Sequence, residues 1–339
     1  MIERKPRICY HFGISIINTK RGGDHGRWIR LRFVVVDRDS TGSITQLLWI
    51  VDMRADYHLH CEFSDDSVEL METQVEQGVR IGLDEMCFTD HVDYGIKRDW
   101  DDPKGVIWED VTENGETLHK ALANVDYPKY FEKIDRLRSD YGDKISIRAG
   151  LEFGIQSHTV PEYSRLFERY RDRLDFVLFS MHQVGDKEFW TGDFQKGRSQ
   201  KEYNELYYEE ILKTMQLYKD YSVLAHLDLI VRYDEQGVYP FENVRDIIAE
   251  ILKQAIRDDK GIELNTSSWK YGLSDTQPSR AILRLYKDLG GRIITVGSDA
   301  HKKEFLGDHF DDAYAILRDE LGFKQMCTFK GMVPEFWDV

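Results

Sequence analysis

The sequence predicts an α/β fold: a single TIM-like βα barrel of seven units over residues 53–339, with its chemistry at the carboxyl ends of the strands. Three observations carry this. From residue 53 onward, short apolar strands alternate with amphipathic helical stretches, the pattern that builds a parallel sheet. The chain has 339 residues, 41% hydrophobic and 12% aromatic, enough for one large barrel or two ordinary domains, and seven successive βα units favour the barrel. Six of the eleven histidines fall where predicted strands end, which is where such barrels carry their functional groups.

Taken in order, residues 1–52 read as an N-terminal extension. They hold nine Lys+Arg against five Asp+Glu, about +4, which leaves 37 against 56 for residues 53–339. Gly22-Gly23 and an apolar run from Phe33 to Val36 are their only local features. Two readings stand: a segment upstream of a natural start at Met53, or a small strand-containing appendage. The predicted strands then span 54–59, 85–89, 145–151, 175–181, 222–227, 261–265 and 292–298. Helical periodicity marks 67–80, 128–140, 161–173, 199–219, 241–258 and 278–289. Ser67 suits an N-cap, Pro161 and Pro278 suit first-turn positions, and Gly82 and Gly290-Gly291 suit helix exits. Residues 92–127 show no clean period and predict a long loop with short helical pieces over the barrel mouth.

Bulk properties narrow the function classes. A net charge of -15 argues against a nucleic-acid partner, which asks for a basic face. It does not oppose a small anionic substrate, because metal ions invert the local field. Cys9, Cys61, Cys87 and Cys327 are scattered with no CxxC pair, which predicts a reducing compartment rather than a disulfide framework. No 18-residue apolar run and no secretory leader is visible, so the expectation is a cytoplasmic protein with no membrane partner.

The candidate site begins at His58-Leu59-His60, where period-two alternation projects two imidazoles to one side of a strand. Later strand ends add His91, Glu152, His182, His226, Asp299 and His301, and the loop after the first strand adds Asp65 and Asp66. Singly, each is an ordinary cap, turn or hydrogen-bonded histidine. Gathered at one barrel mouth without a cation, they would be electrostatically costly. The donors are nitrogen and oxygen, which suits zinc, manganese or iron. They also exceed the needs of one tetrahedral ion, so two or three divalent ions are implied. Cys61 is expected to point into the barrel wall.

With these residues in view, the chain from Met53 onward resembles the PHP (polymerase and histidinol phosphatase) superfamily of metallophosphoesterases. The pattern lies in His58-Leu59-His60, Thr89-Asp90-His91, Glu152, His182, His226 and Asp299-Ala300-His301. Ser180-Met181-His182-Gln183-Val184, Ala225-His226-Leu227-Asp228 through Arg232-Tyr233, and Ile262-Glu263-Leu264-Asn265-Thr266 are similar to its bacterial histidinol-phosphate phosphatase branch. The resemblance implies a distorted (βα)7 barrel of PHP type. It implies one ion on His58, His60, Glu152 and Asp299, a second on Glu152, His182 and His226, and a third on Asp66, His91 and His301. Asp65 is the alternative to Asp66.

The implied reaction is metal-dependent hydrolysis of a phosphate monoester, L-histidinol phosphate, with Glu152, Asp299 and His301 as catalytic residues. Arg232 and Arg198 are the candidate phosphate clamps, since guanidinium matches phosphate geometry. Three alternatives remain: another phosphate ester such as a phosphotyrosine protein or a nucleotide, an amidohydrolase-type barrel, and a metal-binding module without turnover. The second asks for a metal-bridging Lys that is not seen near Glu152 or His182. The third asks for lost ligands.

Overall fold

The computed structural model describes residues 14–20, 28–38, 44–51, 53–113 and 116–339. Ile14–Lys20 (β1), Trp28–Arg38 (β2) and Ile44–Val51 (β3) pair antiparallel in that order, and the Phe33–Val36 run lies inside β2. Gly22-Gly23 lies outside the described residues.

The barrel then begins with Ala55–Asp56 (β4), Met71–Ile81 (α1), Glu85–Phe88 (β5) and the short His91–Val92 (β6). A hairpin of Ile107–Glu113 (β7) and Glu116–Leu122 (β8) precedes Tyr127–Tyr141 (α2) and Ser146–Gly154 (β9). Next come Val160–Tyr170 (α3), Phe176–Ser180 (β10), Gln200–Leu217 (α4), Val223–Leu224 (β11) and Phe241–Arg257 (α5). Gly261–Asn265 (β12), Ser267–Lys270 (α6), Arg280–Asp288 (α7) and Ile294–Gly297 (β13) complete the ring. The parallel sheet runs β4-β5-β9-β10-β11-β12-β13, so the seven predicted strands are the seven staves. Backbone bonds Tyr57 N–H to Val296 O (3.0 Å) and Asp299 N–H to His58 O (2.8 Å) close it between first and last strands.

Period-two alternation divides the core. On β10, Phe176 and Leu178 join an inner apolar cluster with Ala55, Tyr57, Cys87, Val223 and Ala225, while Val177 and Phe179 face the helices. Phe310–Ala315 (α8) leads through a π-helical turn, Ile316–Glu320, to a hairpin of Gln325–Lys330 (β14) and Val333–Asp338 (β15). Cys327 and Phe329 of β14 pack into the inner cluster, and Tyr57 Oη accepts from Phe329 N–H at 2.7 Å and donates to Phe329 O at 3.0 Å. Backbone and apolar contacts together seal the end of the barrel opposite the site.

Three local expectations are corrected. Ser67 is not an N-cap: α1 starts at Met71, whose N–H is taken by Glu62 Oε2 at 2.7 Å, while Ser67 Oγ donates to His301 O at 3.0 Å. Pro278 precedes α7 instead of entering its first turn, because the backbone of Gln277 is bonded to Asn265 and holds the chain extended there. Residues 92–127 carry the β7–β8 ladder where short helical pieces were expected; each strand satisfies the other's backbone groups. Pro161 does sit in the first turn of α3, and Gly82 closes α1 in the left-handed conformation.

Candidate metal centre

Every donor of the cluster comes from a strand end or the loop after it. Glu152 lies in β9, and its neighbours converge on it from four directions. Its Oε2 stands 3.1 Å from His58 Nε2, 3.3 Å from His60 Nε2 and 3.1 Å from His91 Nδ1. Its Oε1 stands 3.1 Å from His182 Nε2 and 2.8 Å from His226 Nε2, and accepts from Ser180 Oγ at 2.6 Å. Asp299 Oδ1 lies 3.3 Å from His60 Nε2 and 3.7 Å from His58 Nε2. Asp66 Oδ2 lies 2.9 Å from His301 Nε2 and 3.4 Å from His91 Nε2, whereas Asp65 turns to Lys97 at 2.6 Å. The nine residues singled out as ligands therefore meet in one place, and of the adjacent aspartates it is Asp66 that faces the histidines.

Elementary chemistry says what such a set can hold. His58 Nε2, His60 Nε2, His91 Nδ1 and Glu152 Oε2 are buried atoms with no hydrogen-bond partner. Buried polar atoms normally find one. Lone pairs aimed at a common point are satisfied by a shared cation, so these residues fit divalent ions.

The electrostatics agree. Burial opposes the charge on Glu152, yet His58, His91 and His182 hold its carboxyl well below the usual range. Burial likewise opposes Asp299, and His58, His60 and Arg232 outweigh it. Burial followed by His91 and His301 drives His60 well below its ordinary value, keeping that imidazole neutral and able to donate a lone pair.

The backbone is bent to suit. His226 has φ 23° and Asp299 φ 54°, a region that side-chain-bearing residues enter at a cost. Gly154 and Gly297 lack side chains where others approach: a methyl on Gly154 would overlap Asp93 Oδ1 and His182 Nδ1, and one on Gly297 would overlap Glu263 Oε1 and His58 Cβ. These glycines make room for two carboxylate–imidazole pairs, His182 Nδ1 with Asp93 Oδ1 at 2.8 Å and His58 Nδ1 with Glu263 Oε1 at 2.7 Å. From sequence, Glu263 enters only within the Ile262-Glu263-Leu264-Asn265-Thr266 resemblance, with no role given to it, and Asp93 does not enter. The available signal was Glu263 itself, a carboxylate in an apolar strand, which must be paired to be buried.

Arg232 reaches the cluster. Its Nη2 lies 3.4 Å from Asp299 Oδ2 and donates to Ser267 Oγ (2.7 Å) and Gln277 Oε1 (2.8 Å), with its guanidinium 4.0 Å over the Tyr271 ring. Arg198 is engaged elsewhere, donating to the Phe194 carbonyl and lying 4.9 Å over the Phe194 ring. Cys61 packs in the apolar core with its thiol on Asp90 Oδ2 at 3.1 Å, outside the donor cluster. His119, His158 and His309 bond to aspartates away from it.

A parallel βα barrel with imidazoles and carboxylates converging at its strand ends defines a metallohydrolase. The chain belongs to the PHP domain family, whose model matches residues 56–267. It is 31% identical over 285 residues to a histidinol-phosphatase of Lactococcus lactis, covering 82% of this chain and 95% of that one. A probable histidinol-phosphatase of Clostridium acetobutylicum is 28% identical, covering 78% of this chain and 92% of its own. Among solved structures, histidinol phosphate phosphatase from Lactococcus lactis, complexed with zinc, L-histidinol and phosphate, superposes with a TM-score of 0.69. That match has 29% identity and covers 83% of this chain and 98% of that one.

Proposed function

We propose that this protein is a divalent-metal-dependent phosphomonoesterase that hydrolyses L-histidinol phosphate to L-histidinol and inorganic phosphate. The observation that carries this is the convergence of five imidazole nitrogens on the two oxygens of Glu152, in a chain similar over most of its length to enzymes of that name. The reaction would place it in histidine biosynthesis, acting in the cytoplasm; among the described residues no helix is long and apolar enough to cross a membrane.

We assign His58, His60, Glu152 and Asp299 to one ion, Glu152, His182 and His226 to a second, and Asp66, His91 and His301 to a third, the metals being zinc, manganese or iron. When bound, such ions lower the pKa of water and withdraw charge from phosphoryl oxygens. The chain does the rest. Arg232, fixed by Ser267 and Gln277 through Nη2 and Nε, would turn Nη1 to the phosphate and is kept in register with the donor cluster by Asp299. Asp299 would take the proton of the attacking water at its carboxylate, and His301, whose Nδ1–H donates to the Asp299 carbonyl at 3.0 Å, would hold that residue in place for it. Glu152 is the hub that fixes the spacing of the imidazoles.

The test is phosphate release from L-histidinol phosphate against p-nitrophenyl phosphate, a phosphotyrosine peptide and a dinucleotide, with metal analysis of the same sample. Preference for histidinol phosphate, abolished by chelation and by His58→Ala, is the expected result. Turnover of another ester alone would keep the metal chemistry and discard the substrate.

A further inference from the structure

Lys97 takes part in none of the chemistry above, yet among the described residues it is one of the most deeply placed cations, with 8% of its side chain exposed. Its ammonium joins two carboxylates, Asp65 Oδ1 at 2.6 Å and Asp93 Oδ2 at 2.9 Å. Burying an ammonium costs several kcal/mol unless it is paired on more than one side, and here two sides are paired. Each carboxylate leads to a different part of the donor cluster. Asp93 turns its other oxygen to His182 Nδ1 at 2.8 Å. Asp65 is the chain neighbour of Asp66, whose Oδ2 faces His301 and His91.

The two arms have different needs. His182 is held by packing as well as by Asp93, since its ring sits edge-on to His91 at 5.0 Å. Asp66 is different: half of its side chain is exposed and it lies in an irregular turn, where its carboxylate is met only by His301 and His91. Asp65 and Asp66 share that turn, and the hold of Lys97 on the Asp65 carboxylate limits how far the turn can move.

We propose that Lys97 is a positioning residue which, through Asp65, holds Asp66 against His91 and His301 and so completes the third ion position, while through Asp93 it fixes the ring of His182. This rests on the three-ion assignment above. It also accounts for the adjacent pair of aspartates: one is the anchor, the other the ligand. The consequence is selective. Cutting the Asp65 arm weakens the ion held by Asp66, His91 and His301 and spares those held through His58, His60 and His226.

The experiment is metal stoichiometry and affinity, read by elemental analysis and chelator competition with zinc on the full chain, for wild type, Asp65→Asn, Lys97→Met and the double variant. Asp65→Asn is expected to weaken one ion about 10–100-fold, the range for losing an orienting group behind a ligand, and to leave the others within about threefold. Because both changes break one link, adding Asp65→Asn to Lys97→Met should cost that ion nothing further. Retention of every ion at wild-type affinity, parallel loss of all ions, or additive losses would each overturn the proposal. Should Lys97→Met fail to fold, Asp65→Asn alone decides, since it keeps the buried Lys97–Asp93 pair. Ion count and histidinol phosphate turnover of the wild type, measured on the same preparation, report separately on the three-ion assignment and on the substrate.

Discussion

His58 and Glu263 form a wholly buried pair, with Nδ1 of the imidazole 2.7 Å from Oε1 of the carboxylate. Burial opposes charge on His58, but Glu263, then Glu152 and Asp299, hold its pKa well above the ordinary value. In the metal-loaded protein that pairing keeps a proton on Nδ1 and leaves the Nε2 lone pair directed at Glu152 and Asp299. Glu263 also accepts from the His226 N–H at 2.9 Å, so one carboxylate orients two ligands. Glu263→Gln, which keeps the shape and removes the charge, should weaken zinc affinity about 10–100-fold. Chelator competition measures it, and an unchanged affinity would refute the role.

Arg232→Ala should lower kcat/KM for a phosphate ester about 10–100-fold, mostly through KM, the loss of about 1.5–3 kcal/mol expected when a charge-assisted hydrogen bond to substrate disappears. Metal content should stay at the wild-type level, because Asp299 keeps its approach to His60. Steady-state kinetics with elemental analysis check both halves. Metal loss in the variant would mean that Arg232 serves Asp299 rather than the substrate.

Chelated protein should lose stability as pH rises from about 6.5 to 9. Burial disfavours the His182 imidazolium, but Glu152 and Asp93 prevail and raise its pKa from 6.5 to about 9. A histidine with a raised folded pKa contributes stability that is complete below the unfolded value and lost as pH climbs through the folded one. Asp228, raised by burial to about 7, acts in the same direction at the lower edge of that window. Thermal melts of the chelated protein at pH 6.5, 7.5 and 9 test the sign: a midpoint that rises with pH would contradict it. Metal loading should flatten the trend, since a coordinated imidazole nitrogen cannot carry the proton.

Tyr57→Phe should cost about 1–3 kcal/mol of unfolding free energy without changing kcat at moderate temperature. Its hydroxyl accepts from the Phe329 N–H and shares its single proton between Glu85 Oε1 and the Phe329 carbonyl, all buried, and the change leaves them short of a partner. Urea denaturation gives the first number and initial rates the second. A large fall in kcat would show that the sealed end of the barrel communicates with the site.

Much of this was legible beforehand because the relevant signals are local. Strand-end histidines, strand alternation and a carboxylate after an apolar run are properties of a few consecutive residues, and His58, His60, Glu152 and Asp299 could be named from them. What escaped depends on contacts between distant segments. Asp65 and Asp66 are indistinguishable as letters; Lys97, 32 positions on from Asp65, separates them. Ser67 has the right chemistry for a cap, yet its hydroxyl is drawn to a carbonyl 234 residues away. Arg198 and Arg232 look equivalent on paper, and only the fold brings the second against Asp299 and leaves the first on Phe194. The hairpin over 107–122 was missed for another reason: it satisfies its backbone groups within itself, so it needs no strong apolar pattern.

The β14 plug has a kinetic consequence. With Cys327, Phe329 and Tyr57 filling the far end, that end offers no passage among the described residues, so ester, water and both products are expected to share the mouth where the donors converge. On the assignment proposed above, phosphate held by Arg232 would be the last product to leave. Accumulating phosphate therefore queues against incoming ester at the same threshold, so the reaction slows through its own exhaust.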